Sequence, residues 1–245
     1  MKVLFTGATG YTGRGMATVL AAHHHVRGAD IRSAPTACQE LMVTDITDLA
    51  ACQRAVAGME AIVMCHMAPN PDGYKTPPMA FDINVKGTAN LYHAAVEHGV
   101  RRVVLISSMG TLQNKPTVAR DAVPGVGPYG YGGGMYALTK IIQEGIACHY
   151  FIAHKLPTAI LRPSWIVNDD LLITKYGEKM VNYNSSLIDP RDIGRAAVAA
   201  LALPDLGLEH FNLGQDDYDQ QYDMAGTRKR LGWHPEHRFA TLARP

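Results

Sequence analysis

A doubly wound α/β fold on a parallel sheet is the class this sequence predicts, and three observations predict it. Short β-rich runs alternate with longer helical patterns up to about Pro163. The run from Ala61 to Ala68 is almost wholly apolar, as a strand covered on both faces should be. A glycine-rich turn also stands between the first strand and the first helix.

The elements follow in order. Lys2 to Thr6 reads as a buried strand, and Gly13 to Ala22 as a helix with Met16, Val19 and Leu20 on one face. A second strand is expected at Val26 to Asp30 and a third at Leu41 to Val43. Asp48 suits the N-cap of a helix through Leu49, Cys52 and Val56. Ala61 to Ala68 is the fourth strand, and the prolines from Pro69 to Pro78 mark a loop after it. Met79 to His98 reads as one long helix with Gly99 at its C-terminal end. Arg102 to Ser107, with four consecutive aliphatic residues, is the clearest strand of the chain. Met109 to Gly134 is rich in glycine and proline and reads as loop, Met135 to His154 as helix, and Thr158 to Arg162 as a sixth strand. Beyond Pro163 the pattern weakens to a helix at Asp192 to Leu203, a strand at Glu209 to Leu213, a polar stretch at Asp216 to Asp223, and a short helix at Thr227 to Leu231 closed by Gly232-Trp233. The chain of 245 residues therefore reads as a single domain, with 164–245 contributing a small C-terminal cap.

Composition narrows the class further. Apolar residues at 47% and charged residues at 18% exclude a disordered chain. A net charge of +1 gives no global field for nucleic acid or an anionic membrane, so neither is expected as a partner. No apolar run approaches the ~18 residues that span a bilayer. Met1-Lys2 runs directly into the first strand without a signal-peptide pattern, so the cytosol is the expected compartment. Cys38, Cys52, Cys65 and Cys148 lack CxxC spacing and read as reduced thiols.

Thr6 to Gly13 places glycines at positions 7, 10 and 13 between a strand and a helix. Glycine there permits a tight turn and close approach of a pyrophosphate, and the helix N-terminus supplies N–H donors and a positive dipole. The plainer alternative is a glycine-rich turn without a ligand. Asp30 lies 20 residues beyond Gly10 at the end of the second strand, where a carboxylate can accept hydrogen bonds from an adenosine ribose and repel a 2′-phosphate. Arg32 could accommodate that phosphate, but Asp30 ends the strand directly, so NAD is expected over NADP.

Tyr136 and Lys140 are four residues apart and share a helix face. A tyrosine with a pKa of about 10 is a poor base near neutrality; lowering it by ~3 units requires about 4 kcal/mol of differential stabilisation. A lysine, a positively charged nicotinamide and a hydroxyl donor can share that task. A coincidental pair on a solvated helix is the alternative. Ser107-Ser108 ends the strongest strand, at the carboxyl edge where open α/β sheets bind ligands. The Ser108 hydroxyl could hold a substrate oxygen there, or simply cap a loop.

With these pieces together the sequence resembles the short-chain dehydrogenase/reductase superfamily, and within it the extended NAD-dependent epimerase/dehydratase group. The resemblance is carried by Thr6 to Gly13, Asp30, Asp45, Val63 to Ala68, Asn84-Val85-Lys86-Gly87-Thr88, Ser107-Ser108, Tyr136 to Lys140, Arg162-Pro163, and Gly232-Trp233 with Pro235. It implies a Rossmann-type sheet with a substrate-binding cap and assigns roles. Gly7, Thr9, Gly10, Tyr11, Thr12 and Gly13 would line the pyrophosphate. Asp30 and Ile31 would meet the ribose, and Asp45 with Ile46 the adenine. Met67, Ala68, Asn84 and Ser107 would belong to the cofactor side, and Pro163, Ser164, Trp165 and Ile166 would approach the nicotinamide. Tyr136 would be the acid/base, Lys140 would hold the nicotinamide ribose and tune Tyr136, and Ser108 would orient the substrate. It also implies a homodimer through the helices at Met79 to His98 and Met135 to His154.

Two departures point to compact sugar dehydrogenases such as uronate dehydrogenase. Only about 80 residues follow Arg162, and Met109-Gly110-Thr111-Leu112 stands where epimerases commonly carry Tyr-Gly. The expected activity is therefore NAD-dependent oxidation of a hydroxyl on a small sugar, sugar acid or polyol. The alternatives are an epimerase or dehydratase that recycles its NAD internally, and a dinucleotide-sensing regulatory protein. Arg162 could meet a substrate carboxylate or serve as a structural ion-pair partner, Trp165 joins the substrate side, and Asn168 and Asp169 could touch a polyol. His23-His24-His25 point to alternate faces and His66 reads as packing, so no metal is expected.

Overall fold

Val3, Leu4 and Phe5 are fully buried in the computed structural model, so the first strand, β1 (Lys2–Thr6), runs inside a layer covered on both faces. The structure describes residues 1–69, 76–112, 134–220 and 224–244. β1 pairs in parallel with β2 (His25–Asp30) on one side and β4 (Ala61–Met64) on the other. β3 (Glu40–Val43) extends the sheet past β2. On the far side follow β5 (Arg102–Ile106), β6 (Thr158–Pro163) and β10 (Leu208–Leu213). The order is β10-β6-β5-β4-β1-β2-β3, and every pair is parallel.

The two-residue period of the strands feeds two cores. Val3 and Phe5 join Met16 and Leu20 of α1 (Tyr11–His23) and Ile193 and Ala197 of α6 (Pro190–Ala202). Leu4 points the other way, to Cys52 and Val56 of α2 (Leu49–Val56), Leu91 and Tyr92 of α4 (Gly87–Glu97), and Ala147 of α5 (Gly134–His154). α1 and α6 approach closely because Gly15 faces Pro190: a Cβ at position 15 would sit 2.5 Å from the proline Cβ. Chain order reverses between β1 and β4, and ligands of such sheets bind in the crevice at that reversal.

Asp48 caps α2 as expected, accepting the Ala50 N–H at 2.9 Å. The fourth strand, Ala61–Met64, is shorter than its apolar run, although Cys65 N–H still donates to the Thr6 carbonyl at 3.2 Å. The single helix expected at Met79 to His98 is three pieces: α3 (Pro77–Ala80), a π-helical turn (Phe81–Lys86) and α4. π-turns carry no sequence signature and often mark functional sites; this one buries Asn84. Met109–Leu112 forms a 3₁₀ turn, and the rest of the expected Gly/Pro-rich loop, to position 133, lies outside the described residues. So do 70–75 of the proline loop and 221–223 of the polar stretch.

A second sheet was not visible in the sequence. β7 (Trp165–Asn168) pairs antiparallel with β8 (Ile173–Thr174) and parallel with β9 (Leu187–Ile188). Its core is Val167 and Leu187 with Phe239 and Leu242 from the C-terminal segment. Of 164–245, expected as the cap, β10 joins the main sheet and α6 packs on its core, while the small sheet and the last residues add a layer that Ile166 and Ile188 join to that core. α6 starts at Pro190 behind the N-cap Asp189, earlier than the expected Asp192. α7 (Ala225–Leu231) closes on Gly232 at φ +59, and Trp233 donates its indole N–H to the Asp192 carbonyl at 3.0 Å.

Candidate active site

The loop between β1 and α1 is shaped by glycine. Gly7 adopts φ +73, and a Cβ there would stand 2.8 Å from the Cys65 carbonyl oxygen. A Cβ at Gly13 would fall 1.9 Å from the Gly7 carbonyl oxygen, so α1 can lie this close to the loop only with glycine there. Gly7 N–H donates to the Ala29 carbonyl at 2.8 Å and Gly10 N–H to the Gly7 carbonyl at 3.1 Å. Among the described residues no side chain caps the start of α1, and its first turn holds no acidic residue, which leaves the positive helix end for an anion. The Thr9 hydroxyl is buried there without a hydrogen-bond partner among the described residues. Asp30 is buried at the end of β2 and accepts the Thr9 N–H at 3.0 Å and the Arg32 N–H at 3.2 Å. Each oxygen then keeps acceptor capacity for a ribose hydroxyl. The shaped loop, the open helix end, the orphaned hydroxyl and the carboxylate fit a dinucleotide.

Ile31 and Asp45 are exposed and Ile46 is buried, all just beyond the carboxyl ends of β2 and β3. Ala68 N–H donates to Asn84 Oδ1 at 2.7 Å, and Asn84 Nδ2 donates to Thr139 Oγ1 at 3.0 Å, so Asn84 joins the segment of Met67 and Ala68 to α5. His66 crosslinks behind them, with Nδ1 2.9 Å from Thr6 Oγ1 and Nε2 3.1 Å from Thr88 Oγ1. Burial, with help from the nearby Lys140 charge, pushes its pKa down to about 3, so the ring is neutral.

α5 places Tyr136, Lys140 and Glu144 on one face. Tyr136 is half-buried and opens with Ser108 onto a cavity of about 450 Å³. Burial raises the phenol above its ordinary pKa, while a hydrogen bond with the Ser108 hydroxyl pulls it back down. The sequence led us to expect Lys140 in that lowering role; instead, after Ser108, the groups that shift the phenol are Tyr176 and Cys65, both upward. The Lys140 ammonium donates to the Ile106 carbonyl at 2.8 Å, and burial lowers its pKa to about 8.

Pro163, Ser164 and Trp165 line the same cavity, Trp165 at 45% exposure, and Ile166 packs on the core behind them. Three expectations need correction. The Ser107 hydroxyl donates to Glu144 at 2.5 Å, so it supports the strand end instead of presenting a group to the cofactor. Arg162 gives its guanidinium to Glu144 through two bonds of 2.9 and 2.6 Å, the structural ion pair of the two readings. The Asn168 side chain accepts the Leu171 N–H, and Asp169 accepts the Phe239 N–H, so both hold the small sheet together. Tyr11 also surprises: its hydroxyl reaches the small sheet, accepting the Asn168 N–H and donating to the Ile173 carbonyl.

Sequence reasoning missed Glu144, although its position four residues beyond Lys140 was a readable signal. It also missed Ser186 and Tyr218 on the cavity wall, and Lys175, whose Nζ lies 5.7 Å from the Tyr136 ring centre. These come from short segments with no pattern of their own. Among the described residues no group of three or more His, Cys, Asp or Glu side chains is arranged for a metal ion.

The family model described as NAD dependent epimerase/dehydratase matches residues 3–167. Among curated proteins, L-arabinose 1-dehydrogenase (NAD(P)(+)) of Haloferax volcanii is 26% identical over 255 residues, covering 98% of this chain and 98% of that protein. Uronate dehydrogenase of Pseudomonas syringae pv. tomato is 30% identical, covering 66% of this chain and 58% of that protein. Among solved structures, a mutant of uronate dehydrogenase from Agrobacterium tumefaciens complexed with NAD superposes with a TM-score of 0.76 at 26% identity, covering 96% of this chain and 84% of that one.

Proposed function

This chain belongs to the NAD dependent epimerase/dehydratase family, and we propose that it oxidises a hydroxyl of a small sugar, sugar acid or polyol through Ser108, Tyr136 and Lys140. It is an enzyme of the short-chain dehydrogenase/reductase type, and its cofactor is NAD. The observation that carries the proposal is the meeting of Ser108 and Tyr136 on one cavity at the carboxyl edge of the sheet. The likeness to arabinose and uronate dehydrogenases supports a sugar-sized substrate.

The glycine loop, Asp30 and Lys140 would hold NAD, which when bound accepts a hydride from the carbinol carbon. Tyr136 takes the proton of the substrate hydroxyl at its phenolate oxygen. Ser108 donates a hydrogen bond to the oxygen that becomes a carbonyl. Lys140, fixed by the Ile106 carbonyl one turn from Tyr136, points its ammonium at the strand end where the nicotinamide ribose would lie. Trp165 and Ser186 bound the space in which the ring of the substrate sits. The layer built on the small sheet acts as the substrate cap. The same reading expects a cytosolic homodimer, for which Leu138 and Ile152 of α5 offer exposed apolar surface; light scattering would then give twice the mass of one chain.

The test is absorbance at the NADH band while sugars, sugar acids and polyols are offered with NAD⁺. We expect a rise with at least one compound, and a loss of about 10²-fold or more in kcat in Tyr136→Phe. Full turnover in Tyr136→Phe would overturn the mechanism. The second reading, an epimerase that recycles NAD, has the family description behind it and is separated by substrate conversion without net NADH.

A further inference from the structure

Tyr11 opens α1 directly after Gly10, yet its side chain serves the other sheet. Its phenol oxygen accepts the Asn168 N–H at 2.8 Å and donates to the Ile173 carbonyl. Asn168 and Ile173 face each other across the β7–β8 pair. The phenol therefore bridges the N–H of one strand and the carbonyl of the other. Within the hairpin Leu172 N–H donates to the Asn168 carbonyl at 2.8 Å, and the phenol adds its link to this short element. Only two residue pairs define its register, β8 is two residues long, and its turn holds Leu172 at φ +51. Burial raises the Tyr11 pKa, so the hydroxyl keeps the proton that it donates. The hairpin in turn bears on the cavity from two points: Trp165 at the start of β7 lines it, and Lys175, next after β8, lies over the Tyr136 ring.

We infer that Tyr11 is a positioning residue that couples the dinucleotide loop to the substrate side of the cavity, so that NAD seated on the loop steadies the β7–β8 hairpin. NAD binding would restrict the first turn of α1, and a fixed Tyr11 would restrict Asn168 and Ile173. The cofactor would then prepare the substrate wall before the sugar arrives. The consequence for substrate rests on the function proposed above, whereas the test uses NAD⁺ alone and can fail while that function stands.

The test is hydrogen–deuterium exchange of the full chain with and without NAD⁺, read on peptides covering 165–176. In the wild type NAD⁺ is expected to slow this exchange by about threefold or more, with a midpoint that follows NAD⁺ occupancy. Tyr11→Phe keeps the ring and removes the oxygen. It is expected to bind NAD⁺ within about threefold of the wild-type Kd, lose the slowing, and exchange the Asn168 amide faster even without cofactor. Equal slowing in both proteins overturns the coupling. So does an NAD⁺ affinity loss beyond about tenfold in Tyr11→Phe, which would put the phenol on the cofactor itself. Should the variant not fold, the wild-type titration still decides: no slowing at 165–176 at saturating NAD⁺ overturns the inference.

Discussion

His66 shows how one side chain can tie the end of β1 to α4 and α5. Its ring joins Thr6, at the mouth of the glycine loop, to Thr88, which also receives the Gln143 amide of α5 at 2.7 Å. Its folded pKa of about 3 lies below the ordinary value of 6.5. Between those values the unfolded chain holds the extra proton, so acid favours unfolding. The contribution of His66 to stability is complete above pH 6.5 and is lost as pH falls toward 3, by up to about 1.4 kcal/mol per pH unit. His66→Gln, which cannot take up that proton, is expected to lose less stability than the wild type between pH 7 and pH 4. Denaturant melts at the two pH values measure this; equal losses would show that His66 is not the acid-sensitive group. The candidate site residues legible from sequence were those whose chemistry is local to a motif: the glycines, Asp30, Ser108, Tyr136 and Lys140. Tyr11 shows the limit, because its place in the motif pointed to pyrophosphate while tertiary contacts sent its side chain to Asn168 and Ile173.

At the scale of elements, α5 grips the end of β5 twice. Lys140 holds the Ile106 carbonyl, and one turn later Glu144 holds the Ser107 hydroxyl and, from β6, Arg162. Ser108 is the next residue, so these bonds fix where its hydroxyl meets Tyr136. Glu144 is fully buried and Arg162 nearly so. Glu144→Gln removes the carboxylate charge from this buried ion pair and is expected to cost about 3–5 kcal/mol. The double variant Glu144→Gln/Arg162→Met removes the buried guanidinium as well and is expected to recover part of that loss. Denaturant unfolding compares the two; a single-variant loss below about 1 kcal/mol would mean the pair does not hold the strand end. The main strands were legible because apolar runs bounded by turn residues are what a strand buried on both faces requires. The π-turn at Phe81–Lys86 was hidden, since its sequence reads as ordinary helix. The strands β8 and β9 have two residues each, too few to show any period, and exist because β7 provides their partner.

At the scale of the whole molecule, a seven-stranded sheet carries the cofactor seat and a three-stranded sheet closes one wall of the cavity. The chain returns from the small sheet through α6 to pack on α1, the helix that begins at the glycine loop. The glycine-loop helix α1 thus shares one core with α6 and with Ile166 and Ile188 of the small sheet, while α5 packs in the core on the opposite face of the main sheet. The central claim is that this arrangement serves net oxidation: Tyr136 removes the hydroxyl proton and the substrate leaves as the carbonyl product. The measurement that bears on it most directly is the NADH formed per molecule of sugar consumed, with NAD⁺ in excess and the product analysed. One NADH per sugar, with no conversion in Tyr136→Phe, is the expected result. A sugar converted to its stereoisomer or dehydrated with no net NADH would contradict the account and make the protein an enzyme that returns its hydride.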